Sequence, residues 1–466
     1  MAIKRYNTAM AHKSPWIHQL RQDRKIVPLG SDLETDVAIV GGGIAGVSTA
    51  FFILRDTDKQ VVLLEGQRLG HGATGHNAGQ ITSYFERPFR ELVEEFGLEM
   101  AAQGQRDIEN AWGLFDDMYK EAELDIPFSR FTGYAGFSGY DQLLSVLKNN
   151  VLREKGGLKP VKLLIADNAP FKDDIPAEYQ KFYTLVPHAE IFTKLETTNT
   201  DFVALAETEK GVVNSALFTE EVALYLLKKY PERFSIFEDV YVPKVVLKGD
   251  EALLDAGKFF ITAKEVILCT NGFDKIRIFD THGLEIDTSF HHSIHGVVAR
   301  MSGYLEEPAK PPIAISYYVG EVPEFDNMED PYFYLTRRLY EYNSHKHDLI
   351  CFGGPQETLA DRAEFRAEEW NYPDEFDQTT DKFIRKLYNL GADKDIEYMF
   401  TWHGLMGYTP NGVRLVGAEP RNPVLLYNLG CNGVGILPSI FGGERIAKIL
   451  NGEKLPPSIF DPRKSA

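Results

Sequence analysis

The sequence predicts an α/β chain of two parts, and three observations predict it. At 466 residues the chain is longer than one hydrophobic core usually supports. Near its start, Val37, Ala38, Ile39 and Val40 form a short apolar run suited to a parallel strand buried on both faces. Glycines and a helix-compatible segment to about Arg55 follow, and a second apolar run, residues 61–64, ends at the acid Glu65. Strand, turn, helix and strand in that order make the repeating unit of a parallel sheet.

The turn reads G-x-G-x-x-G, from Gly41 through Gly43 to Gly46. Each glycine has a task in a Rossmann-type dinucleotide site. Gly41 permits the tight turn, Gly43 lets a pyrophosphate approach the backbone, and Gly46 lets the helix pack on the strand. Ile44 and Ala45 open that helix, whose unpaired N–H groups and positive dipole end suit phosphates. Glu65, followed by Gly66, lies about twenty residues beyond the glycines. There it can accept hydrogen bonds from ribose hydroxyls, and it disfavours a 2′-phosphate. The competing reading is a membrane span, because residues 37–54 carry no charge. Three consecutive glycines near its middle, and acids at Asp32, Glu34, Asp36, Asp56 and Asp58 on its flanks, argue against one. A dinucleotide is expected, and the fingerprint alone leaves NAD and FAD open.

Directly after Glu65 the chain reads "GQRLGHGATGHNAGQITS". Gly70, Gly72, Gly75 and Gly79, interleaved with Ala73, Thr74 and Ala78, make a loop able to press its backbone against a flat ligand. An ordinary surface loop would favour the same small residues. Joined to the fingerprint, the segment resembles the FAD-dependent oxidoreductases of the D-amino-acid oxidase (DAO) superfamily. That superfamily includes glycine and sarcosine oxidases, dimethylglycine dehydrogenase and the γ-glutamylputrescine oxidoreductases.

The resemblance recurs in family order. "AKEVILCTNGF" (263–273) looks like a second FAD-domain strand, whose Thr270, Asn271 and Gly272 would pass close to the cofactor. "GVVNSALFTEEVALYLLKKY" resembles the segment leading into a helix that re-enters the FAD domain, and in "SIFEDVYVPKVV" Val242 would meet adenine through its backbone. "TWHGLMGYTPNGVRLVG" and "LLYNLGCNGVGILPSIFGGERIAKIL" resemble the last two family blocks, where Gly404, Gly430, Asn432, Gly433, Val434 and Gly435 would border the flavin. The final turn and helix N-terminus would face the N1–C2=O edge, which is anionic in reduced flavin. The resemblance implies FAD as the cofactor, held also by Gly72, Ala73, Thr74, His76, Asn77, Ala78 and Gly79.

The implied architecture is α+β overall, a Rossmann-type FAD-binding domain interleaved with an antiparallel-sheet substrate domain. An arm would occupy 1–29, the FAD-binding domain 30–100, 205–280 and 400–466, and the substrate domain 101–204 and 281–399. Residues 297–301 and 349–352 read as strands of the latter. Residues 89–124 carry helical apolar spacing with a break expected at Gly104, and the acidic stretch 321–333 suits a loop or lid.

Family members pass a hydride equivalent from a C–H beside nitrogen to flavin N5, and the imine then hydrolyses. The protein's task is to place a neutral amine. Four departures bear on this. His76 stands where many relatives have Arg. In the dimethylglycine and sarcosine dehydrogenase branch a His there bonds to the flavin 8α-methyl; otherwise it would pack against phosphate or solvent. Non-covalent FAD is expected, with a His76 link as the alternative. Met406 replaces the flavin-linking Cys of sarcosine oxidase-like enzymes, which argues against a thioether. The family's "YYRL", whose Arg lies near a substrate carboxylate, is "YFYL" here. Tyr334 replaces the Arg, and Arg337 and Arg338 follow on a strand where one slip changes their face. Finally, Val434 replaces a His, while Trp402 and His403 stand where relatives often have Trp-Gly.

The candidate pocket residues are thus Tyr332, Tyr334, Trp402 and His403, with half-buried sheet packing as the competing role of the tyrosines. His295 is expected to point toward the flavin. With His291 and His292 it forms a cluster lacking Cys or acid partners, and no metal is expected.

The leading reading is an FAD-dependent oxidase or dehydrogenase of an amine or amino acid, with oxygen, a partner protein or a quinone as electron acceptor. Two others stay open: a 2-hydroxy-acid or polyol dehydrogenase using His403 or His295 as base, and a flavoprotein subunit that only carries electrons. A net charge of −18 without a dense Lys/Arg run excludes nucleic acid and anionic membrane surfaces as partners. Cys269, Cys351 and Cys431 are too few and too scattered for a disulfide framework or a zinc site. With no signal-peptide core near the start, they point to the cytoplasm.

Overall fold

The apolar run at 37–40 lies in the strand Leu33–Val40, where Val37, Ala38 and Ile39 are fully buried. Its neighbours Val61–Leu64 and Phe260–Leu268 both run parallel to it, with Val40 level with Leu64 and Leu268. The helix Ile44–Asp56 follows, and every residue from Ile44 to Leu54 is buried. It packs against the helices Ile436–Leu450 and Ser215–Lys229. A helix covered on several sides is apolar all round. The uncharged stretch 37–54 is therefore a buried strand and helix. Among the described residues no helix is long and apolar enough to cross a membrane.

The computed structural model describes residues 13–21, 23–272, 276–286, 290–320, 332–359, 374–391 and 394–462. They form two sheets. The nine-stranded first sheet runs Arg277–Asp280, Lys244–Lys248, Glu251–Asp255, Phe260–Leu268, Leu33–Val40, Val61–Leu64, Phe234–Phe237; Leu425–Leu429 also pairs with Phe260–Leu268 and carries Leu415–Ala418. The ten-stranded second sheet runs Phe400–Tyr408, His295–Glu306, His345–Thr358, Tyr332–Tyr342, Ile313–Tyr318, Phe128–Phe137, Ala204–Val213, Lys162–Ala166, Tyr183–Val186, with Gln80–Thr82 paired to Ala204–Val213. Most of its pairings are antiparallel. Mixed α/β architecture with one parallel-cored and one largely antiparallel sheet is the class expected from the sequence.

Several local expectations change. Gln80–Thr82, Ala204–Val213 and Phe400–Tyr408, expected within the FAD-binding segments, supply strands to the second sheet. The break in the long helical stretch falls at Gly97, between Phe89–Phe96 and Leu98–Glu121, and Gly104 lies inside the second helix. Gly104 is needed for packing, since a Cβ there would collide with Ile459. Strands at 297–301 and 349–352 are present within His295–Glu306 and His345–Thr358. Residues 1–12, Phe273 and most of the proposed lid, 321–331, lie outside the described residues.

The rest of the N-terminal arm lies on the fold. Its short helix Pro15–His18 is capped by the Ser14 hydroxyl, which accepts from the Trp16 N–H at 3.1 Å. Trp16 is fully buried, and Asn214 Nδ2 holds its carbonyl at 3.0 Å. Arg24 then donates to Glu220 at 2.9 Å and to Glu238 at 2.6 Å, tying the arm to the first-sheet side of the molecule.

Candidate active site

The strand Leu33–Val40 ends in a turn closed by its own backbone. The Gly41 N–H donates to the Leu64 carbonyl at 2.8 Å, with φ at +112°, and a Cβ would lie 2.6 Å from the Cys269 carbonyl oxygen. Glycine alone takes that conformation beside a third strand without cost. Gly46 packs so closely that a Cβ would collide with the Gly41 carbonyl. The helix has no acid in its first turn, so its positive end faces no competing anion of its own. The Glu65 carboxylate accepts from the N–H groups of Gly42 at 2.7 Å and Gln67 at 2.8 Å, which fixes it at the end of the second strand.

The loop 70–79 is tied to this turn. The Ile44 N–H donates to Thr74 Oγ1 at 2.9 Å. Asn77 Nδ2 donates to the Thr74 carbonyl and to Ser215 Oγ, both at 2.8 Å, while its Oδ1 accepts from the Gly79 N–H at 2.7 Å. Two indoles brace the loop from behind: Trp16 and Trp402 both donate to the Asn77 carbonyl, at 2.6 and 3.3 Å. His76 Nδ1 lies 3.1 Å from the Gly72 carbonyl, and the His76 carbonyl leaves no room for a Cβ at Gly404.

These elements wall one side of a cavity of about 1290 Å³. Small-molecule sites are typically roughly 300–1,000 Å³. Gly41, Gly43, Ile44, Ala45, Glu65, Gly66, Gly72, Ala73, Thr74, His76, Asn77 and Ala78 border it, as do Val242, Thr270, Asn271, Gly404, Gly433, Val434 and Gly435. Gly46, Gly79, Gly272, Gly430 and Asn432 stand behind the wall and shape it. Asn432, for example, accepts from the Thr409 N–H at 2.8 Å. The helix Ile436–Leu450 starts at this far turn, again with no acid in its first turn. Two helix N-termini therefore open on one cavity. One suits a pyrophosphate and the other an anionic ring edge, so the residues present fit FAD.

The second sheet supplies the remaining wall. Tyr332 and Tyr334 share a strand face and border the cavity. Phe333, between them, turns away and stacks on Phe383 with centroids 4.0 Å apart. His403 also borders the cavity, and Arg300 Nη1 lies 3.3 Å from its Nε2. Arginine only donates, so that ring nitrogen is the acceptor. Trp402 and His295 do not reach the cavity wall. Alternation along the strand sends Trp402 to the opposite face from His403, where it packs edge-on against Trp16 at 6.2 Å. His295 opens its strand level with Tyr408 and lies against that ring, centroids 5.9 Å apart. The side chain of His291 is outside the described set.

The two arginines that follow Tyr334 do not take over from the missing one. Arg337 makes a bidentate pair with Glu196, at 2.5 and 2.7 Å, on the sheet face away from the tyrosines. Burial alone would raise the Glu196 carboxyl, but Arg337 outweighs it and holds the group below its ordinary range. Arg338 shares the tyrosines' face, yet the arm covers it: its guanidinium lies 4.5 Å over the Trp16 ring and donates to Gln19 at 2.7 Å.

Sequence reasoning missed Glu86, which also borders the cavity. Its Oε1 accepts from Tyr332 at 2.9 Å and its Oε2 from Tyr408 at 2.8 Å. The protein atoms crowded round the cavity lift its carboxyl above the ordinary range, against the pull of the two hydroxyls, although the cavity leaves the residue open to solvent. Nothing local marked it, since "FERPF" reads as any polar connection. Lys210 was missed too. It lies behind the wall, 1% exposed, with Nζ 3.1 Å from Ser316 Oγ, and burial pushes it down to about 7.

A glycine turn and two helix N-termini around one long cavity define a dinucleotide-binding oxidoreductase. The family model described as "FAD dependent oxidoreductase" (DAO) matches residues 36–449, and the chain belongs to that family. FAD is accordingly its cofactor. Among curated proteins, the chain is 36% identical over 139 residues to the γ-glutamylputrescine oxidoreductase of Escherichia coli, covering 30% of this chain and 32% of that protein. It is 34% identical over 89 residues to the probable oxidoreductase OrdL of Haemophilus influenzae, covering 19% and 20%. These matches thus span less than a third of the relatives' length. Among solved structures, L-proline dehydrogenase from P. horikoshii superposes with a TM-score of 0.67 at 16% identity, covering 92% of this chain and 97% of that one. Glycine oxidase from Geobacillus kaustophilus gives 0.65 at 15%, covering 93% and 100%. At such identities the likeness is one of fold.

Proposed function

We propose that the protein oxidises the C–N bond of an amine or amino acid, as an oxidase or dehydrogenase. The observation that carries this reading is that Tyr332, Tyr334 and Glu86 border the same cavity as the elements that fit FAD. Held by these residues, FAD would supply the acceptor for the hydride equivalent from the carbon beside nitrogen, and water would then hydrolyse the imine to a carbonyl and the freed amine. The residues of this chain bind and orient. The aromatic rings of Tyr332 and Tyr334, with centroids 5.7 Å apart, give the cavity an apolar wall for the substrate. His403, with Nε2 facing Arg300, lends its ring to the cavity wall. Oxygen, a partner protein or a quinone reoxidises the cofactor, and the unpaired Cys269, Cys351 and Cys431 suit a cytoplasmic setting.

The hydroxy-acid alternative needs a general base at the cavity. Arg300 occupies the His403 Nε2 lone pair and His295 is off the wall, so its two candidate bases are poorly placed. Anaerobic mixing of the holoprotein with a panel of amines, amino acids and 2-hydroxy acids tests the choice. Bleaching of the yellow absorbance by amines or amino acids is expected, and bleaching by hydroxy acids alone would overturn it. FAD is proposed to be non-covalent. Acid denaturation and filtration should release all yellow colour, whereas colour retained with the protein would implicate His76.

A further inference from the structure

Among the described residues, two carboxylates border the cavity, and they are used differently. Glu65 is occupied by backbone N–H groups at the nucleotide-binding turn. Glu86 has only neutral donors, the Tyr332 and Tyr408 hydroxyls, one on each oxygen. A carboxylate offers about four acceptor positions, so two are left to a ligand. Among the described residues no Lys, Arg or His pairs with it. The group is also held in place from below. Its carboxylate rests on Gly433, where a Cβ would collide with it, so the cofactor-side turn and the tyrosine wall clamp it together.

Among the described residues, Lys13 of the arm borders the cavity as an exposed cation, while the buried cations nearest the tyrosines and the glycine turns are engaged elsewhere. Arg337 is paired with Glu196 on the back of the sheet, and Arg338 lies under the arm. Arg414 borders the cavity, but its three nitrogens donate to Asn428 Oδ1, the Asn428 carbonyl and the Gly430 carbonyl. Lys210 is sealed behind Ser316 and Gln80. An anionic acceptor with aromatic rings beside it matches a protonated alkylamine, through charge-assisted hydrogen bonds and cation–π contact.

We propose that Glu86 is the anchor for the substrate's ammonium group, and that the site selects amines lacking a carboxylate over amino acids. This rests on the reading of the protein as an amine-oxidising flavoprotein. The ammonium docks on Glu86, and the tyrosines align the chain beyond it.

The test is equilibrium binding to the holoprotein, read by the perturbation of flavin absorbance and by calorimetry, at about pH 8 where carboxylates are ionised and alkylamines protonated. The probes are n-butylamine, its uncharged counterpart n-butanol, and N-methylglycine. In the wild type, n-butylamine should bind roughly tenfold or more tightly than n-butanol, and more tightly than N-methylglycine. Glu86→Gln should weaken n-butylamine by a similar factor and leave n-butanol unchanged, with FAD content and Tm retained. Equal affinity of n-butylamine and n-butanol for the wild type would overturn the proposal even if the variant failed to fold. So would unchanged n-butylamine affinity in a folded Glu86→Gln protein, or tighter binding of N-methylglycine. Turnover separates the two readings. Amines that bleach the flavin equally in wild type and Glu86→Gln would retain amine oxidation and discard the anchor. Binding through Glu86 with no bleaching by any amine would retain the anchor and discard the oxidation.

Discussion

Trp16 lies directly against Gly79, and a Cβ at that glycine would be 2.7 Å from the indole Cη2. A residue of the N-terminal arm thus sets the position of the flavin loop from behind. Trp16→Ala removes a fully buried indole together with its hydrogen bond to the Asn77 carbonyl. It is expected to cost about 3–5 kcal/mol of stability and to loosen FAD. Thermal unfolding and FAD content after gel filtration check this; a variant that keeps both would remove the arm from the cofactor site.

Gly433 has φ at +74° and sits under the Glu86 carboxylate. Gly433→Ala therefore suffers twice, from the backbone and from the collision. In a Glu86→Ala background only the backbone part, on the order of 1–2 kcal/mol, should remain. Denaturant unfolding of the four proteins of this cycle should give a favourable coupling of about 0.5–3 kcal/mol. A coupling of zero would mean that the two residues do not touch.

Lys210 is pushed by burial from its ordinary 10.5 to about 7. The unfolded chain then binds more protons than the fold across that window, so stability rises with pH between about 7 and 10.5. Lys210→Met abolishes this dependence. The variant should be more stable than wild type below pH 7, by on the order of 1–4 kcal/mol, with the gain fading toward pH 10.5. Urea unfolding over a pH series measures it, and parallel curves for the two proteins would contradict the burial.

Glu196 and Arg337 form a bidentate pair away from the cavity, with the carboxyl held below its ordinary range. Its contribution is present above the unfolded carboxyl's pKa and lost as pH falls through the folded value. Glu196→Gln should cost about 1–3 kcal/mol near neutral pH, less at acid pH, since the pair is only partly shielded. KM should not change. A raised KM with unaltered stability would instead place Arg337 at the substrate.

The parts of the fold legible in the sequence are those where chemistry dictates local residue choice. The turn at Gly41, the packing at Gly46 and the acid at Glu65 each satisfy a constraint within a few residues of themselves. Sheet membership is set by pairing across hundreds of residues, so nothing local in the sequence shows that Ala204–Val213 and Phe400–Tyr408 join the second sheet. Strand alternation decided against Trp402, since the face that His403 presents is fixed only by the sheet. Glu86 was invisible for a further reason. Its hydroxyl partners Tyr332 and Tyr408 lie 246 and 322 positions away, and its own segment has no periodic structure.

The cofactor cavity joins Gly41 to Gly435, and the helix Ile44–Asp56 is covered by Ile436–Leu450, with a Cβ at Gly443 falling 2.8 Å from the Thr49 backbone nitrogen. During synthesis the glycine turn leaves the ribosome long before its counterpart exists. The nascent chain can therefore hold neither the full pocket nor a tightly bound FAD. Loading with cofactor therefore waits until the segment around Gly435 has been made and has closed on the glycine turn.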